Sequence, residues 1–429
     1  MLLSCEFSNF KSFKDPVIFE LAAPKNRVRQ RYPDNYVAME SGELVLKDAV
    51  IAGENAGGKS NFVAAFSFLK SIFSRNDVVP RARRDLAFSG GRPVDRAGED
   101  GTNGLVAEQR FSIEIALGQE TIRYTLQLDE AGVALESLER RERSDKAYEL
   151  VFKGRRSSPR RIRGGAANAV SLAHPSVSYS LETGRGAYDP GDPSSDSFII
   201  NLFNRIQYGQ NLLAVSLATL GNRYGMAVTS WFTSDLVIAS RIGGHFEING
   251  LSGEDLWEIL QDPKYFEIFK LVDRSIVEVR LDKDRPFEDS VLVRRSVSGD
   301  VYERAIRDDS TGVAQFAQWA TVIYLVVHRN KTVFADEIDS AINPVLSDRV
   351  MAYINGHEHT GQFIFTTHNV FNLTFRTFMK EQMYFVTKDA ETLESTLYSL
   401  ADFKDVRYDV KGEIYDLYIR GMLGGTLDG

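Results

Sequence analysis

The feature that most constrains the fold is a glycine-rich loop, Gly53-Glu-Asn-Ala-Gly-Gly-Lys-Ser60, which fits the pattern G-x-x-x-x-G-K-[ST]. The apolar run 49–52 before the loop predicts a short buried strand. The segment after the loop predicts a helix, because its apolar residues recur at helical spacing: Phe62, Ala65, Phe66, Leu69 and Ile72. Strand, loop and helix in this order predict an α/β fold that contains a phosphate-binding loop.

The chemistry of such a loop comes from its backbone and from its two last residues. Glycines let consecutive N–H groups point at phosphate oxygens, and the N-terminus of the following helix attracts negative charge. We expect Lys59 to reach the β- and γ-phosphates of a nucleotide and Ser60 to ligate magnesium. An ordinary glycine turn is the alternative, and the flanking strand and helix disfavour it. The residues that we assign to nucleotide binding here are Gly53, Asn55, Gly58, Lys59, Ser60 and Asn61.

A second apolar strand, predicted at 332–335, ends in two adjacent acids, Asp336 and Glu337. Two carboxylates at a strand end can be surface charge. Beside a phosphate-binding loop they indicate catalysis, with Asp336 holding magnesium through a water and Glu337 orienting or deprotonating the attacking water.

A third apolar strand, predicted at 363–367, ends at His368, which lies 31 residues after Glu337. A lone histidine is more often structural. At the end of the next strand, however, a neutral imidazole can donate a hydrogen bond to a γ-phosphate, and we therefore predict a catalytic role for His368.

The segment Asp309-Ser-Thr-Gly312 comes before an apolar helical stretch, and Ser310 lies 26 residues before Asp336. A serine and a glycine at a helix start can bind an anion, although many helix caps look the same. Its position in the chain favours the anion-binding interpretation.

Taken together, the segments GENAGGKSN, DSTGV, VFADEIDSAIN and FIFTTHN resemble the ATPase heads of the ABC, SMC and RecF class. The segment Asn9-Phe-Lys-Ser-Phe13 resembles the opening of SMC-like heads and adds Lys11 to the nucleotide-binding residues. More closely, the chain resembles compact bacterial AAA-type ATPases of abortive-infection and restriction-linked phage-defence systems. It is similar to an OLD-like head without a Toprim domain, because only 61 residues follow His368.

The resemblance implies an ABC-type head with a mixed central sheet, and ATP with Mg²⁺ held between two subunits. Ser310 and Gly312 would then form a signature that contacts the nucleotide of the partner subunit. Ser340 and Asn343 would belong to the D-loop, where an asparagine replaces the usual aspartate at position 343. Expected partners are a second copy, as a homodimer or a higher oligomer built on dimers, and a separately encoded nuclease or toxin effector.

Two other functions stay open at this point. A RecF- or SMC-like DNA-repair ATPase would bind DNA directly and would be stimulated by it. A nucleotide-gated scaffold would bind ATP without appreciable turnover, and the presence of Glu337 argues against that function.

The order of the motifs predicts one ATPase domain that is split by a mixed α+β insertion. We expect its N-terminal half at 1–75, the insertion at 76–300, its C-terminal half at 301–390 and a tail at 391–429. Within the insertion, alternating segments around Gly118 predict a hairpin.

Charge and cysteine content indicate the cellular compartment of the protein and the kinds of partner that it can have. The net charge of −8 argues against a protein that coats nucleic acid over its whole surface. A single cysteine, Cys5, and the lack of a long apolar run predict a cytoplasmic protein without a membrane partner. One basic stretch is either a solvated loop or a binding patch, so nucleic acid stays open as a partner: Lys153, Arg155, Arg156, Arg160, Arg161 and Arg163.

Overall fold

The computed structural model describes residues 1–78, 108–129, 132–156, 179–184, 196–206, 209–242, 245–282, 284–285, 287–338, 343–406, 413–419 and 423. The strands in these ranges are β1 (Leu2–Ser8), β2 (Val17–Glu20), β3 (Tyr36–Ala38), β4 (Leu44–Leu46), β5 (Asp48–Gly53), β6 (Gln109–Leu117), β7 (Glu120–Asp129), β8 (Gly132–Glu142), β9 (Glu149–Arg156), β10 (Tyr179–Thr183), β11 (Leu236–Ile242), β12 (His245–Asn249), β13 (Ile276–Arg280), β14 (Val291–Arg295), β15 (Val301–Ala305), β16 (Thr332–Ala335), β17 (Gln362–Thr367), β18 (Met383–Lys388) and β19 (Ser395–Ser399). The α-helices are α1 (Lys59–Arg75), α2 (Asp196–Phe203), α3 (Leu213–Thr219), α4 (Arg223–Ser230), α5 (Gly253–Gln261), α6 (Pro263–Phe269), α7 (Thr311–Arg329), α8 (Pro344–Asn355) and α9 (Glu413–Ile419).

The chain divides into two compact units. Unit 1 comprises Met1–Ser4, Ile18–Phe68 and Ser234–Gly429, and unit 2 comprises Cys5–Val17 and Leu69–Thr233. Residues 234–300, which the sequence analysis grouped with the insertion, fall in unit 1, and so does the segment that it treated as a tail. The domain boundaries expected from the sequence stay a prediction.

Unit 1 is built on a seven-stranded sheet in the order β12-β11-β16-β17-β5-β18-β19. The five inner strands pair in parallel, and the two outer strands pair antiparallel with their neighbours. The sheet is therefore mixed, and with its helices it confirms the predicted α/β fold class. Strands β5, β16 and β17 are buried along their whole length, as expected for inner strands of a sheet that is covered on both faces.

Helix α7 contributes much of the apolar core of unit 1. Its apolar stretch from Phe316 to Val327 is buried, as predicted for an internal helix. Ser310 caps its N-terminus, and Asn330 ends it in the left-handed conformation with φ 53°. In the part of the chain that the structure describes, no helix is long and apolar enough to cross a membrane.

A smaller antiparallel sheet, β13-β14-β15, also belongs to unit 1. Its strands β13 and β14 are the two strands that the sequence predicts near residues 276–281 and 291–297. The helical stretch expected at 256–272 is present as α5 and α6, and Pro263 is the first residue of α6 because a proline suits the first turn.

The second seven-stranded sheet has the order β10-β9-β8-β7-β6-β1-β2, and its strands β6 to β10 lie in unit 2. Strands β6 and β7 form the predicted hairpin, and Gly118 in its turn has φ 57°. The carboxylate of Glu136 is buried and accepts the N–H groups of Leu213 and Ala214 at 2.8 and 2.9 Å, so it caps the start of α3. The helical stretch expected at 198–232 consists of the three short helices α2, α3 and α4.

Candidate functional site

The glycine-rich loop lies between β5 and α1, as the sequence predicts. Strand β5 ends at Gly53, and α1 begins at Lys59. Three loop residues have a positive φ that residues with a Cβ rarely adopt: Gly53 with 159°, Ala56 with 62° and Gly58 with 122°. Glycine adopts this conformation freely, whereas an alanine is strained by roughly 1–2 kcal/mol there. The loop thus has a tight backbone that turns directly into the start of a helix.

Strands β18 and β19 hold the loop from its other side. A Cβ at Gly53 would lie 2.4 Å from the backbone oxygen of Val386, so only glycine fits at this position. The hydroxyl of Ser395, which is 3% exposed, donates to the backbone oxygen of Gly57 at 2.7 Å. Sequence reasoning missed Ser395 and Val386, because neither belongs to a motif.

Lys59 is 4% exposed, and its ammonium group lies among acceptors of the loop. It donates to the backbone oxygens of Gly53 and Glu54 at 2.7 and 2.8 Å. It also lies 3.1 Å from Nδ1 of His368, and because an ammonium group only donates, this nitrogen accepts. The structure therefore brings together two residues that the sequence assigned to nucleotide binding and catalysis. The other polar members of the loop are accessible: Asn55 and Ser60 are exposed, and Asn61 is half-buried.

The three motif strands end at one edge of the sheet. Strand β17 pairs in parallel with β16 on one side and with β5 on the other. Gly53 ends β5, Asp336 follows β16, and His368 follows β17. The carboxyl ends of adjacent parallel strands form the usual ligand-binding edge of an α/β sheet.

The two acids after β16 are organised by Thr366, which is fully buried. Its hydroxyl donates to Oδ1 of Asp336 at 2.6 Å and accepts the backbone N–H of Glu337 at 2.9 Å. Glu337 has φ 57°, a conformation that costs energy for a residue with a Cβ and that is often found at functional sites. Asp336 is half-buried, and the side chain of Glu337 is exposed. Sequence reasoning missed Thr366, although a threonine inside an otherwise apolar buried strand is a signal for such a role.

The signature residues begin α7. The Oγ of Ser310 accepts the N–H of Val313 at 3.4 Å, and the side chain of Ser310 is exposed. Gly312 is also exposed, and a Cβ built on it would meet no atom within 4 Å. Nothing in the described part of this chain therefore requires a glycine at position 312.

Of the two residues that the sequence assigned to the D-loop, the structure describes only Asn343. Ser340 lies outside the described residues, together with 339, 341 and 342. Asn343 caps α8, and its Oδ1 accepts the N–H of Leu346 at 2.9 Å. A role of either residue between subunits stays a prediction.

Lys11 belongs to unit 2, in a tight turn that Phe10 and Phe13 close by two backbone hydrogen bonds of 2.8 and 2.9 Å. It has φ 48°, and its ammonium group lies 5.8 Å from the ring centroid of Phe10. Its assignment to nucleotide binding stays a prediction.

The basic stretch of unit 2 is partly neutralised. Arg156 donates through Nη1 and Nη2 to the two carboxylate oxygens of Asp129, both at 2.7 Å. Lys153 and Arg155 lie on β9, while Arg160, Arg161 and Arg163 lie outside the described residues. Arg156 is therefore better explained by a structural ion pair than by a binding patch.

Comparison with known proteins gives the family. A family profile described as "AAA domain, putative AbiEii toxin, Type IV TA system" matches residues 49–373, which is most of the chain. The chain belongs to this family of AAA domains. The match begins inside β5 and ends just beyond His368, so it includes the glycine-rich loop, the segment 309–312, the acid pair and His368. No protein of curated function matches the chain in sequence.

Solved structures that the chain matches include the SMC head domain from Thermotoga maritima, with a TM-score of 0.42 and 13% identity over 93% of this chain and 98% of that chain. Another is the Smc head domain with an extended coiled coil, bound to the C-terminal domain of ScpA derived from Pyrococcus furiosus. It has a TM-score of 0.39 and 13% identity over 98% of this chain and 99% of that chain.

The site fits a nucleotide with magnesium. The loop leaves no room for a side chain at Gly53, and at Gly57 a Cβ would lie 3.1 Å from the Glu54 oxygen. Helix α1 begins directly after the loop, and a helix N-terminus attracts the negative charge of phosphate oxygens. No cluster of three or more metal-ligating side chains occurs among the described residues. Magnesium is usually held by one or two protein oxygens together with phosphates, and Ser60 and Asp336 would supply such oxygens here.

Proposed function

We propose that the protein is an ATPase that binds ATP with Mg²⁺ between two copies of the chain and uses closure or hydrolysis to control a separately encoded effector. The observation that carries this proposal is the convergence of Lys59, Asp336 and His368 at one edge of the unit 1 sheet. The family description, which names a putative toxin of a type IV TA system, supports a role in antiphage defence.

The residues would act as follows. Lys59 binds the β- and γ-phosphates, and Ser60 and Asp336 hold the magnesium ion, which neutralises charge on the phosphate oxygens. Glu337 takes the proton of the attacking water, for which its exposed carboxylate is suited. His368 donates a hydrogen bond to the γ-phosphate. Because Nδ1 of His368 accepts from Lys59, neutral His368 carries its proton on Nε2, and this nitrogen is the donor.

The second copy would supply the signature. Ser310 and Gly312 are exposed at the start of α7. A phosphate of the nucleotide that is bound to a facing subunit can therefore approach the helix N-terminus there. Gly312 supports this proposal in particular. A small residue without a steric requirement inside its own chain is explained if another molecule approaches it closely.

The test uses two defects that complement each other only in a sandwich. Lys59→Ala removes phosphate binding, and Ser310→Arg blocks the signature, so each variant alone should have little activity. In a mixed dimer one site carries both defects and the other carries none. An equal mixture should therefore recover up to roughly a quarter of the parental ATPase rate if subunits exchange at random.

Gly312→Ala changes the signature without disturbing the fold, so it separates loss of the dimer from misfolding. Since a Cβ meets nothing within 4 Å, the variant should be as stable as the parent and bind ATP equally well, yet lose the ATP-dependent dimer seen by light scattering. A monomer with full ATPase activity, or a mixture that never exceeds its components, would contradict the sandwich.

The alternative is a RecF- or SMC-like DNA-repair ATPase. The ion pair of Arg156 with Asp129 takes one arginine out of the basic stretch on which direct DNA binding would depend. ATPase assays with and without DNA separate the two proposals. Hydrolysis that needs DNA would favour the alternative, whereas co-purification of the product of a neighbouring gene would favour effector control.

A further inference from the structure

The backbone of the signature serine is held by the residue before it. Oδ1 of Asp309 accepts the N–H of Ser310 at 2.7 Å. The hydroxyl of Ser310, by contrast, makes only a long contact of 3.4 Å with the N–H of Val313. The direction in which Ser310 presents its hydroxyl therefore depends more on its backbone, and so on Asp309, than on its own cap.

Asp309 is itself held by Arg294, which lies on β14 of the three-stranded sheet. Nη1 of Arg294 donates to Oδ2 of Asp309 at 2.6 Å. The side chains are 20% and 8% exposed, so water screens this ion pair less than a pair at the surface. One oxygen of Asp309 thus faces the arginine, while the other holds Ser310.

Arg294 has a second anchor. Its Nε donates to Oδ2 of Asp273 at 2.8 Å. Oδ1 of Asp273 accepts the hydroxyl and the N–H of Ser275 at 2.7 and 2.9 Å. Partial burial alone would lower the pKa of Arg294, but its hydrogen bonds to both carboxylates raise that pKa above the ordinary value. The guanidinium group is therefore a fixed charge in a fixed position.

The same sheet contains a second arginine that also pairs with two carboxylates but does not contact the residue before Ser310. Arg280 on β13 pairs with Glu278 at 3.1 Å and with Glu303 at 2.7 Å. All three side chains are about half exposed, at 50%, 53% and 51%. Ion pairs of this kind contribute little, so Arg280 is a natural control for Arg294.

We propose that Arg294 is a positioning residue for the signature: through Asp309 it fixes Ser310 for the nucleotide of the facing subunit. This inference rests on the proposed function. Arg294 acts in two ways. It holds the carboxylate that orients Ser310, and it balances a negative charge that would otherwise lie next to an approaching triphosphate and repel it.

The experiment measures ATP-driven dimerisation in a Glu337→Gln background, in which hydrolysis is slowed and the closed state accumulates. Arg294→Met keeps the length of the side chain and removes its charge. We expect the dimer dissociation constant with MgATP to increase roughly tenfold to a hundredfold, the range for a lost hydrogen bond between charged groups. MgATP binding to the monomer should not change, because the phosphate-binding loop is untouched. Arg280→Met should dimerise like the parent.

Two further variants separate positioning from a general loss of structure. Arg294→Lys keeps the positive charge but not the two-pronged geometry, so it should recover part of the dimer affinity that Arg294→Met loses. Asp309→Asn keeps an acceptor for Ser310. If the two residues act as a pair, adding Asp309→Asn to Arg294→Met should weaken the dimer by less than the sum of the single effects.

The outcomes distinguish this inference from the function on which it rests. A parent that does not dimerise with ATP overturns the proposed function and this inference with it. A parent that dimerises, together with an Arg294→Met variant of equal affinity, overturns the inference alone.

Discussion

Thr366 is the residue on which the acid pair depends most directly, and Thr366→Val tests that dependence. Valine has nearly the shape of threonine but lacks the hydroxyl. The change therefore removes the 2.6 Å hydrogen bond to Asp336 and the 2.9 Å hydrogen bond from the N–H of Glu337. Glu337, at φ 57°, also loses a contact that holds it in a strained conformation.

The magnitude follows from these two contacts. A hydrogen bond to a charged group contributes about 1.5–3 kcal/mol, and a polar group left without a partner costs about 1–3 kcal/mol. We expect a loss of about 1–3 kcal/mol in the free energy of unfolding. If the misplaced acids raise the barrier of hydrolysis by a similar amount, the rate falls roughly 10- to 100-fold, since about 1.4 kcal/mol is a factor of ten.

The assay is steady-state ATPase activity at saturating MgATP, combined with calorimetric ATP binding. Binding should be retained because Lys59 and the loop are unchanged. Thr366→Ser keeps the hydroxyl and should retain most of the activity. Thr387→Val is a matched control, because its hydroxyl makes only an exposed contact of 2.9 Å with Thr396. If Thr366→Val hydrolyses ATP at the parental rate, Thr366 does not organise the acid pair.

Two further predictions concern stability. Asp48 is fully buried, and desolvation raises its pKa to about 7, so the folded chain holds this proton more tightly than the unfolded chain. The protonated Asp48 therefore stabilises the fold fully below pH 4, and this stabilisation is lost as the pH rises to 7. Asparagine cannot ionise, so the free energy of unfolding of Asp48→Asn should rise relative to the parent by up to about 4 kcal/mol between pH 4 and pH 7. A difference in urea unfolding that stays constant between pH 4 and pH 8 would refute this. Ala56, at φ 62°, is in a conformation that favours glycine, so Ala56→Gly should raise the free energy of unfolding by up to about 1 kcal/mol and leave ATP binding intact. A clear loss of thermal stability in this variant would contradict the assignment of strain to Ala56.

The sequence predicts the parts of the site that depend on local patterns. Periodicity and the fixed spacing of Gly53, Gly58 and Lys59 predict a strand, a loop and a helix, and the structure has them in that order. The buried helix α7 follows from its continuous apolar stretch in the same way. Each of these features is formed by one continuous segment of the chain, so the residue pattern of that segment is enough to predict it.

Contacts between distant segments have no such local signal. Ser395 supports the loop oxygen of Gly57 from 338 residues away, and no pattern around Ser395 indicates this. Thr366 and Arg294 are similar cases, because their roles depend on which strand or turn lies beside them in the folded chain. The strained backbone of Glu337 also cannot be predicted from its neighbours, since glutamate rarely adopts a positive φ.

The arrangement of β5 has a consequence for how the protein is made. Both neighbours of this strand in the sheet, β17 and β18, come more than 300 residues after it in the chain. At a synthesis rate of about 5–20 residues per second, an emerging chain waits on the order of tens of seconds before β5 has partners on both edges. During that time an apolar strand has two open edges, a hazard for aggregation. We therefore expect the glycine-rich loop to gain its full support only after both Val386 and Ser395 have left the ribosome.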